Sequence, residues 1–297
     1  MTHQQMAEQV RSGAGFVAAL DQSGGSTPKA LAAYGVPADA YSGDDEMFDM
    51  IHAMRTRIVN APAFTGDKIV GAILFEMTME RAINGKPSAK YLWEDRHVVP
   101  FLKIDKGLMD ETDGVQLMKP MDHLDDILPR AVSHGVFGTK MRSVINAANP
   151  SGIKANVAQQ FAEARRVIAH GLVPILEPEI NINMADKGKA EEMLRDEIMS
   201  HLDALSPDEI VMLKLTLPEQ ANIYQPLIDH SNVMRVVALS GGYSRAEANA
   251  RLAQNRGMIA SFSRALTEGL SANQSDDEFD NAIAATIDEV YSASVAG

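Results

Sequence analysis

The 297-residue chain contains no cysteine, which removes disulfides, thiolate nucleophiles, iron–sulfur clusters and cysteine-type zinc sites from consideration. It lacks a basic excess: 27 Lys and Arg against 40 Asp and Glu leave a formal net charge of -13. Such a surface repels nucleic acid and anionic membranes, so neither is expected as a partner, and an anionic substrate would need a local basic pocket set against the overall field. No apolar run approaches the roughly 18 residues of a spanning helix. The N-terminus, Met1-Thr2-His3-Gln4-Gln5-Met6, is polar and without the apolar stretch of a signal peptide, so the chain reads as soluble and cytoplasmic. There is no low-complexity linker, no basic tail and no coiled-coil seam, which leaves association into a homo-oligomer open. The eight histidines are scattered without HxH or HxxxH spacing and read as surface or helix-end residues, so no metal site is expected. The one tryptophan, Trp93, reads as packing.

What is present is apolar and ordered. Hydrophobic residues make up 45% of the chain, enough for one large core. Short runs rich in Val, Ile, Leu and Phe recur at 16–20, 69–75, 98–104, 135–141, 172–176, 210–215, 233–239 and 257–262. They alternate little, the pattern of strands buried on both faces of a parallel sheet. Helical stripes lie between them: Ile153, Val157, Phe161, Ala164 and Ile168 form one, and Leu194, Ile198 and Leu202 another. Thr27-Pro28 is a helix start with proline at the first position, and Ser244 with Glu247 has capping-box spacing. The widest interval, between the first two strands, holds an extra helix over 44–59. Residues 271–278 read as a polar loop before a last helical pattern at Phe279, Ile283, Ile287, Val290 and Tyr291. Eight strands with helices between them predict a (β/α)8 TIM barrel of the α/β class, as a single domain over 1–297.

In such barrels the site lies at the C-terminal ends of the strands. Reading the polar residues there gives Asp21 for strand one, Lys103 and Asp105 for strand three, and Lys140 and Arg142 for strand four. Strand five gives Glu177 and Glu179, strand six Lys214, strand seven Ser240-Gly241-Gly242, and strand eight Ser261-Phe262-Ser263-Arg264. One such residue alone is ordinarily a solvated rim group or half of an ion pair. Charges embedded in runs such as Val211-Met212-Leu213-Lys214-Leu215 are different, because lone buried charges are costly; a shared cluster in the barrel mouth satisfies all of them. A lysine among apolar neighbours also loses solvation of its charged form, which makes Lys214 a candidate amine nucleophile for a carbonyl. The small residues of Ser240-Gly241-Gly242, followed by Ser263 and Arg264, suit an anion bound by backbone N–H groups and a guanidinium. A second such loop, Ser23-Gly24-Gly25-Ser26, follows strand one with Lys103 nearby. Two Gly-rich loops suggest two phosphates, one at each end of a substrate.

These motifs carry a resemblance. Leu20-Asp21-Gln22-Ser23-Gly24-Gly25-Ser26, Phe101-Leu102-Lys103-Ile104-Asp105-Lys106-Gly107, Gly138-Thr139-Lys140-Met141-Arg142, Val173-Pro174-Ile175-Leu176-Glu177-Pro178-Glu179, Met212-Leu213-Lys214, Leu239-Ser240-Gly241-Gly242 and Ser263-Arg264-Ala265-Leu266 occur in this order. Over about residues 16–266 the chain resembles the class I fructose-1,6-bisphosphate aldolases in their shorter bacterial form. The resemblance implies reversible cleavage of a sugar bisphosphate to dihydroxyacetone phosphate and glyceraldehyde 3-phosphate in glycolysis and gluconeogenesis, through a Schiff base and without a metal or other cofactor. By residue, it implies Lys214 as the Schiff-base lysine, Glu177 as acid/base and Lys140 as its supporting charge. Asp21 would move the proton of the C4 hydroxyl, with Glu179 and Arg142 supporting the site. Ser240, Gly241, Ser263 and Arg264 would bind the 1-phosphate, and Ser23, Ser26 and Lys103 the 6-phosphate.

The sequence departs from the animal enzymes of that family at three places. Gln22 stands where they have Glu, Ser263 stands where they have Gly, and the last tyrosine here, Tyr291, falls within a helical pattern rather than at the end of a tail, so no tail-tyrosine role is carried over. Two other readings remain at this stage: a Schiff-base aldolase for a related ketose bisphosphate such as tagatose 1,6-bisphosphate, and a non-catalytic scaffold on the same fold, which would have no need of the Lys, Glu and Asp constellation.

Overall fold

A computed structural model describes residues 3–297. Eight parallel strands follow one another around a barrel in sequence order: β1 Phe16–Leu20, β2 Ile69–Leu74, β3 Val99–Lys103, β4 Gly138–Ile145, β5 Val173–Ile180, β6 Val211–Thr216, β7 Val233–Leu239 and β8 Met258–Ala260. The ring closes just past β8, where the Ala19 amide donates to the Phe262 carbonyl at 3.2 Å. The predicted (β/α)8 barrel is therefore the observed fold. Helices cover the outside, among them Pro150–Ala169 and Lys187–Leu202, whose buried residues include the stripes read from the sequence. The extra helix between β1 and β2 spans Gly43–Asn60.

The strand limits differ from the apolar runs in an informative way. β4 and β5 run on to Ile145 and Ile180, so Arg142, Glu177 and Glu179 lie inside strands rather than beyond them. Side chains alternate across a strand, and along β5 Val173 and Ile175 point into the barrel; Glu177 and Glu179 continue the same parity. Hydrophobicity marks only the lower part of such a strand. Residues 271–278 are likewise not all loop. The last helix, Asp276–Ala296, begins inside that segment with a Ser275–Glu278 capping box.

The barrel interior has an apolar floor. Val17, Ala19, Val70, Ile73, Val99, Phe101, Phe137, Ile175, Met212, Val237 and Ile259 form one buried cluster. An N-terminal helix, His3–Ser12, closes it from below with Met6 and Val10, and Trp93 packs in the same cluster. Phe101 fills the middle because two neighbours are glycine: a Cβ at Gly71 or at Gly138 would stand 2.9 Å from its ring. Among the described residues, no helix is long and apolar enough to cross a membrane.

Candidate active site

Above that floor the same inward positions become charged. On β3 Phe101 is followed by Lys103, on β4 Gly138 by Lys140 and Arg142, on β5 Ile175 by Glu177, and on β6 Met212 by Lys214. Lys140, Glu177, Lys214 and Asp21 are all buried, and they form one chain of ion pairs. Lys140 Nζ lies 2.7 Å from Asp21 Oδ2 and 2.8 Å from Glu177 Oε2. The other carboxylate oxygen of Glu177, Oε1, lies 3.0 Å from Lys214 Nζ. Two cations and two anions neutralise one another, which is what allows four charges to be buried together.

The two lysines are not equivalent. Lys140 is held between two carboxylates. Burial opposes its charge, but Asp21 and Glu177, with Asp105 behind them, raise it far above the ordinary lysine range; Lys140 is a fixed cation. Lys214 has an ion pair to Glu177 alone among the described residues. Burial likewise opposes the charge on Glu177 and Asp21, yet Lys140 and Lys214 outweigh it. Glu177 is held below its ordinary value, and Asp21 well below the usual carboxylate range. The arrangement can therefore supply an amine, a carboxylate able to take that amine's proton at 3.0 Å, and a second carboxylate beside a permanent positive charge.

The supporting residues lie around this chain. Arg142 Nε pairs with Glu179 on the neighbouring strand. Asp105 is buried and bound on three sides: Lys103 Nζ lies 2.7 Å from Oδ1 and 2.8 Å from the Asp105 carbonyl oxygen, and the Arg142 amide donates to Oδ2 at 3.1 Å. Lys103 thus faces Asp105 here. In the loop after β1, the Ser26 hydroxyl accepts from the Ser23 amide and donates to the Ser23 carbonyl, both at 2.8 Å, closing a 3-10 turn over Gly24–Ser26. After β7, Ser240 is buried, and Gly241 and Gly242 have φ of 59° and 118°, left-handed values that suit glycine. A Cβ on Gly241 would meet Ile182 at 2.7 Å, and one on Gly242 would stand 3.5 Å from Arg264 Nη2. Arg264 therefore lies against the glycine loop, its guanidinium exposed and without an ion-pair partner among the described residues, while Ser263 stands just before the helix Arg264–Thr267. Among the described residues, no group of His, Asp or Glu is arranged to hold a metal ion.

Two residues belong to this site that the sequence reading does not place there, Arg55 and Gln22. Asp105, read at the end of strand three without a role of its own, joins the site by binding Lys103 and the Arg142 amide. Arg55 is buried on the Gly43–Asn60 helix, where its Nη1 donates to Thr78 Oγ1 at 2.7 Å and its Nη2 to the Gln22 carbonyl at 2.5 Å. Burial lowers its guanidinium to about 10, so it stays cationic at neutral pH. Its sign in the sequence is that it interrupts the stripe of Met47, Ile51, Ile58 and Val59 on that helix. Gln22 joins Arg55 to the other side of the mouth: its Nε2 donates to Ser263 Oγ at 2.9 Å. Two of the departures from the animal pattern, Gln22 and Ser263, are thus hydrogen-bonded to each other.

Comparison with known proteins agrees with this geometry. The family described as fructose-bisphosphate aldolase class-I, a glycolytic family, matches residues 3–226. A class 1 fructose-bisphosphate aldolase of Synechocystis sp. is 57% identical over 293 residues, covering 99% of this chain and 98% of that protein. One of Porphyromonas gingivalis is 57% identical over 288 residues, covering 97% and 98%. Among solved structures, the fructose-bisphosphate aldolase of Plasmodium falciparum, determined in complex with TRAP and a small-molecule inhibitor, shares the fold with a TM-score of 0.76 at 18% identity, covering 99% of this chain and 94% of its own. With a barrel of this topology, a lysine–carboxylate chain in its mouth and relatives of this similarity over nearly its full length, the chain belongs to the class I fructose-bisphosphate aldolase family.

Proposed function

We propose that Lys214 is the nucleophile of this aldolase and that Glu177, Lys140 and Asp21 move or hold the protons around it. The observation that carries this reading is the Lys214 Nζ to Glu177 Oε1 contact of 3.0 Å, beside a Lys140 that two carboxylates hold protonated. Transfer of one proton across that contact does two things at once: it frees the amine and turns Glu177 into an acid. The amine adds to the C2 carbonyl of fructose 1,6-bisphosphate. Glu177 returns the proton to the departing oxygen, water leaves, and an iminium remains. Asp21 takes the proton of the C4 hydroxyl, the C3–C4 bond breaks, and its electron pair flows into the iminium to give an enamine. Glyceraldehyde 3-phosphate departs; protonation at C3 and addition of water release dihydroxyacetone phosphate and restore the amine. The iminium is the electron sink, so this chemistry calls for no metal or other cofactor.

Ser240, Gly241, Ser263 and Arg264 are the residues we assign to the 1-phosphate. A guanidinium without an ion-pair partner among the described residues, beside left-handed glycines, supports that choice. For the 6-phosphate we assign Ser23, Ser26 and Lys103, and for support of the charge chain Arg142 and Glu179. The Lys103–Asp105 and Ser26–Ser23 contacts would exchange for phosphate contacts on binding. We place the protein in the cytoplasm, where glycolytic enzymes act, with a sugar bisphosphate as its small-molecule partner.

The test is incubation with fructose 1,6-bisphosphate in the presence of EDTA, reduction with borohydride, and peptide mass analysis. A stable adduct of dihydroxyacetone phosphate size on the peptide holding Lys214 is expected. Cleavage without an adduct would overturn the nucleophile assignment; a faster reaction with tagatose 1,6-bisphosphate would move the substrate assignment to that ketose.

A further inference from the structure

The strands that carry Glu177 and Lys214, β5 and β6, are joined unlike their neighbours. On one side β5 pairs with β4 along its whole length, from Gly138 opposite Val173 to Ile145 opposite Ile180. On the other side its backbone pairing with β6 covers only Ile175 opposite Met212 and Leu176 opposite Leu213, and stops one residue short of Glu177 and Lys214.

The alternation of amides along a strand explains where the seam opens. The Asn181 amide donates to Ile145 on the β4 side, whereas the Ile180 amide turns toward β6. By the same alternation the residue at 178 also faces β6, and it is Pro178, which has no N–H to give. The seam between the amine strand and the carboxylate strand is therefore missing a donor at the level of the ion pair.

A side chain rejoins it. Thr216, two residues beyond Lys214 and wholly buried, accepts from the Ile180 amide at 2.9 Å and donates to the Ile180 carbonyl at 3.0 Å through the same hydroxyl. Beyond Thr216 the chain is again held by side chains. Lys187 Nζ donates to the Leu217 carbonyl at 2.8 Å and pairs with Glu191, and Glu191 accepts from the Glu219 amide at 3.0 Å.

We infer that Thr216 is a positioning residue for the amine chemistry: its hydroxyl replaces the backbone pairing that Pro178 removes, and so fixes where Lys214 Nζ stands against Glu177. The inference rests on the reading of Lys214 as nucleophile. An open seam gives Lys214 room to pass from an ion pair to a covalent bond with a substrate carbon. A single two-way hydrogen bond keeps that freedom from becoming misalignment, and errors of an ångström at such a centre cost on the order of a hundredfold in rate.

Thr216→Val keeps the branched shape and removes the hydroxyl; Thr216→Ser keeps the hydroxyl. Three quantities test the inference: steady-state kcat and KM, the rate of borohydride trapping at Lys214, and hydrogen exchange at the Ile180 amide. We expect Thr216→Val to lower kcat and the trapping rate together by roughly ten- to a hundredfold with KM within about twofold, and to speed exchange at Ile180. Thr216→Ser should return all three to near the parent values. Should Thr216→Val fail to fold, Thr216→Ala compared with Thr216→Ser reads the same hydroxyl. Faster exchange at Ile180 with unchanged kcat and trapping would overturn the inference, as would a loss that serine does not restore. A parent protein that cleaves substrate but gives no adduct on Lys214 would defeat the nucleophile assignment, and the inference with it; a parent that is trapped while Thr216→Val is trapped at the same rate defeats the inference alone.

Discussion

Below the level of Lys140 and Lys214 the barrel interior is filled by Val17, Phe101, Phe137, Ile175, Met212 and Val237, sealed by Met6 and Val10 from the N-terminal helix. Above that level the same strands present Asp21, Lys103, Lys140, Arg142, Glu177 and Lys214. The floor is held by shape, with one phenylalanine ring seated against two glycines. The mouth is held by charge, with Glu177 bridging two lysines and Lys140 bridging two carboxylates. Removing a floor residue leaves a void and a penalty in stability alone; removing a mouth residue costs chemistry first, with a stability penalty that stays small where the remaining charge keeps a partner, as Glu177 keeps Lys140 when Lys214 is lost. Stability and activity should therefore separate along the barrel axis.

The sharpest test of that separation is Lys214→Ala. Turnover should fall by about four orders of magnitude or more, with no borohydride adduct, while the far-ultraviolet circular dichroism and the thermal midpoint stay close to the parent. Substantial turnover in this variant would sink the nucleophile assignment. The matching change in the floor is Phe101→Ala, expected to cost about 3–5 kcal/mol in denaturant unfolding because the cavity lies in a closed apolar layer. KM measured on the remaining folded protein should be nearly unchanged. A large KM change with little loss of stability would show that floor and mouth are not separable.

Next in size, Arg264→Ala should raise KM roughly ten- to a hundredfold for fructose 1,6-bisphosphate, and much less for an analogue lacking the 1-phosphate. Equal changes for both compounds would argue against the phosphate role.

Acid should weaken the mouth before the floor. Asp21 and Glu177 both have their folded values held below the ordinary ones. Their contribution to stability is therefore complete above the unfolded carboxylate range, about pH 4, and is lost as pH falls from there toward the folded values. Lys140 is shifted upward, so its contribution is intact below the ordinary lysine range and is lost only as alkaline pH approaches its folded value. Asp21→Asn should flatten the acid limb of a plot of thermal midpoint against pH; an unchanged limb would mean that other carboxylates govern it. The smallest effect is expected from Gln22→Glu. That change offers Arg55 a carboxylate and removes the amide N–H that reaches Ser263. A KM rise of about two- to fivefold with kcat nearly constant would fit the loss of one neutral hydrogen bond; no change in either constant would show that the Gln22–Ser263 contact does not order the loop.

Much of the site was readable because strand parity carries charge as faithfully as it carries hydrophobicity. Lys214 among Val211, Met212, Leu213 and Leu215 has nowhere to go but the interior, and the same holds for Lys140 and Glu177. The strand limits were harder. β5 looked as if it ended at Leu176 because its apolar residues stop there, but the strand continues while its inward side turns from apolar to charged. Arg55 is the least legible, because a helix brings it to the site from a segment between two strands, and its mark in the sequence is a cation inside an apolar stripe.

By itself the sequence determined the class of architecture, the order of the strands and the residue types that meet at their C-terminal ends, because short apolar runs, helical stripes and embedded charges are local patterns. Which charge faces which was decided only by the tertiary structure. Lys140 and Lys214 look alike as letters, each set in an apolar run. One is clamped by two carboxylates and the other touches one, because the Asp21 carboxylate, brought in from β1, pairs with Lys140. The pairing of Gln22 with Ser263 joins residues 241 positions apart and exists only once the chain has closed into a ring, whereas that of Thr216 with Ile180, 36 positions apart, needs two neighbouring strands docked side by side.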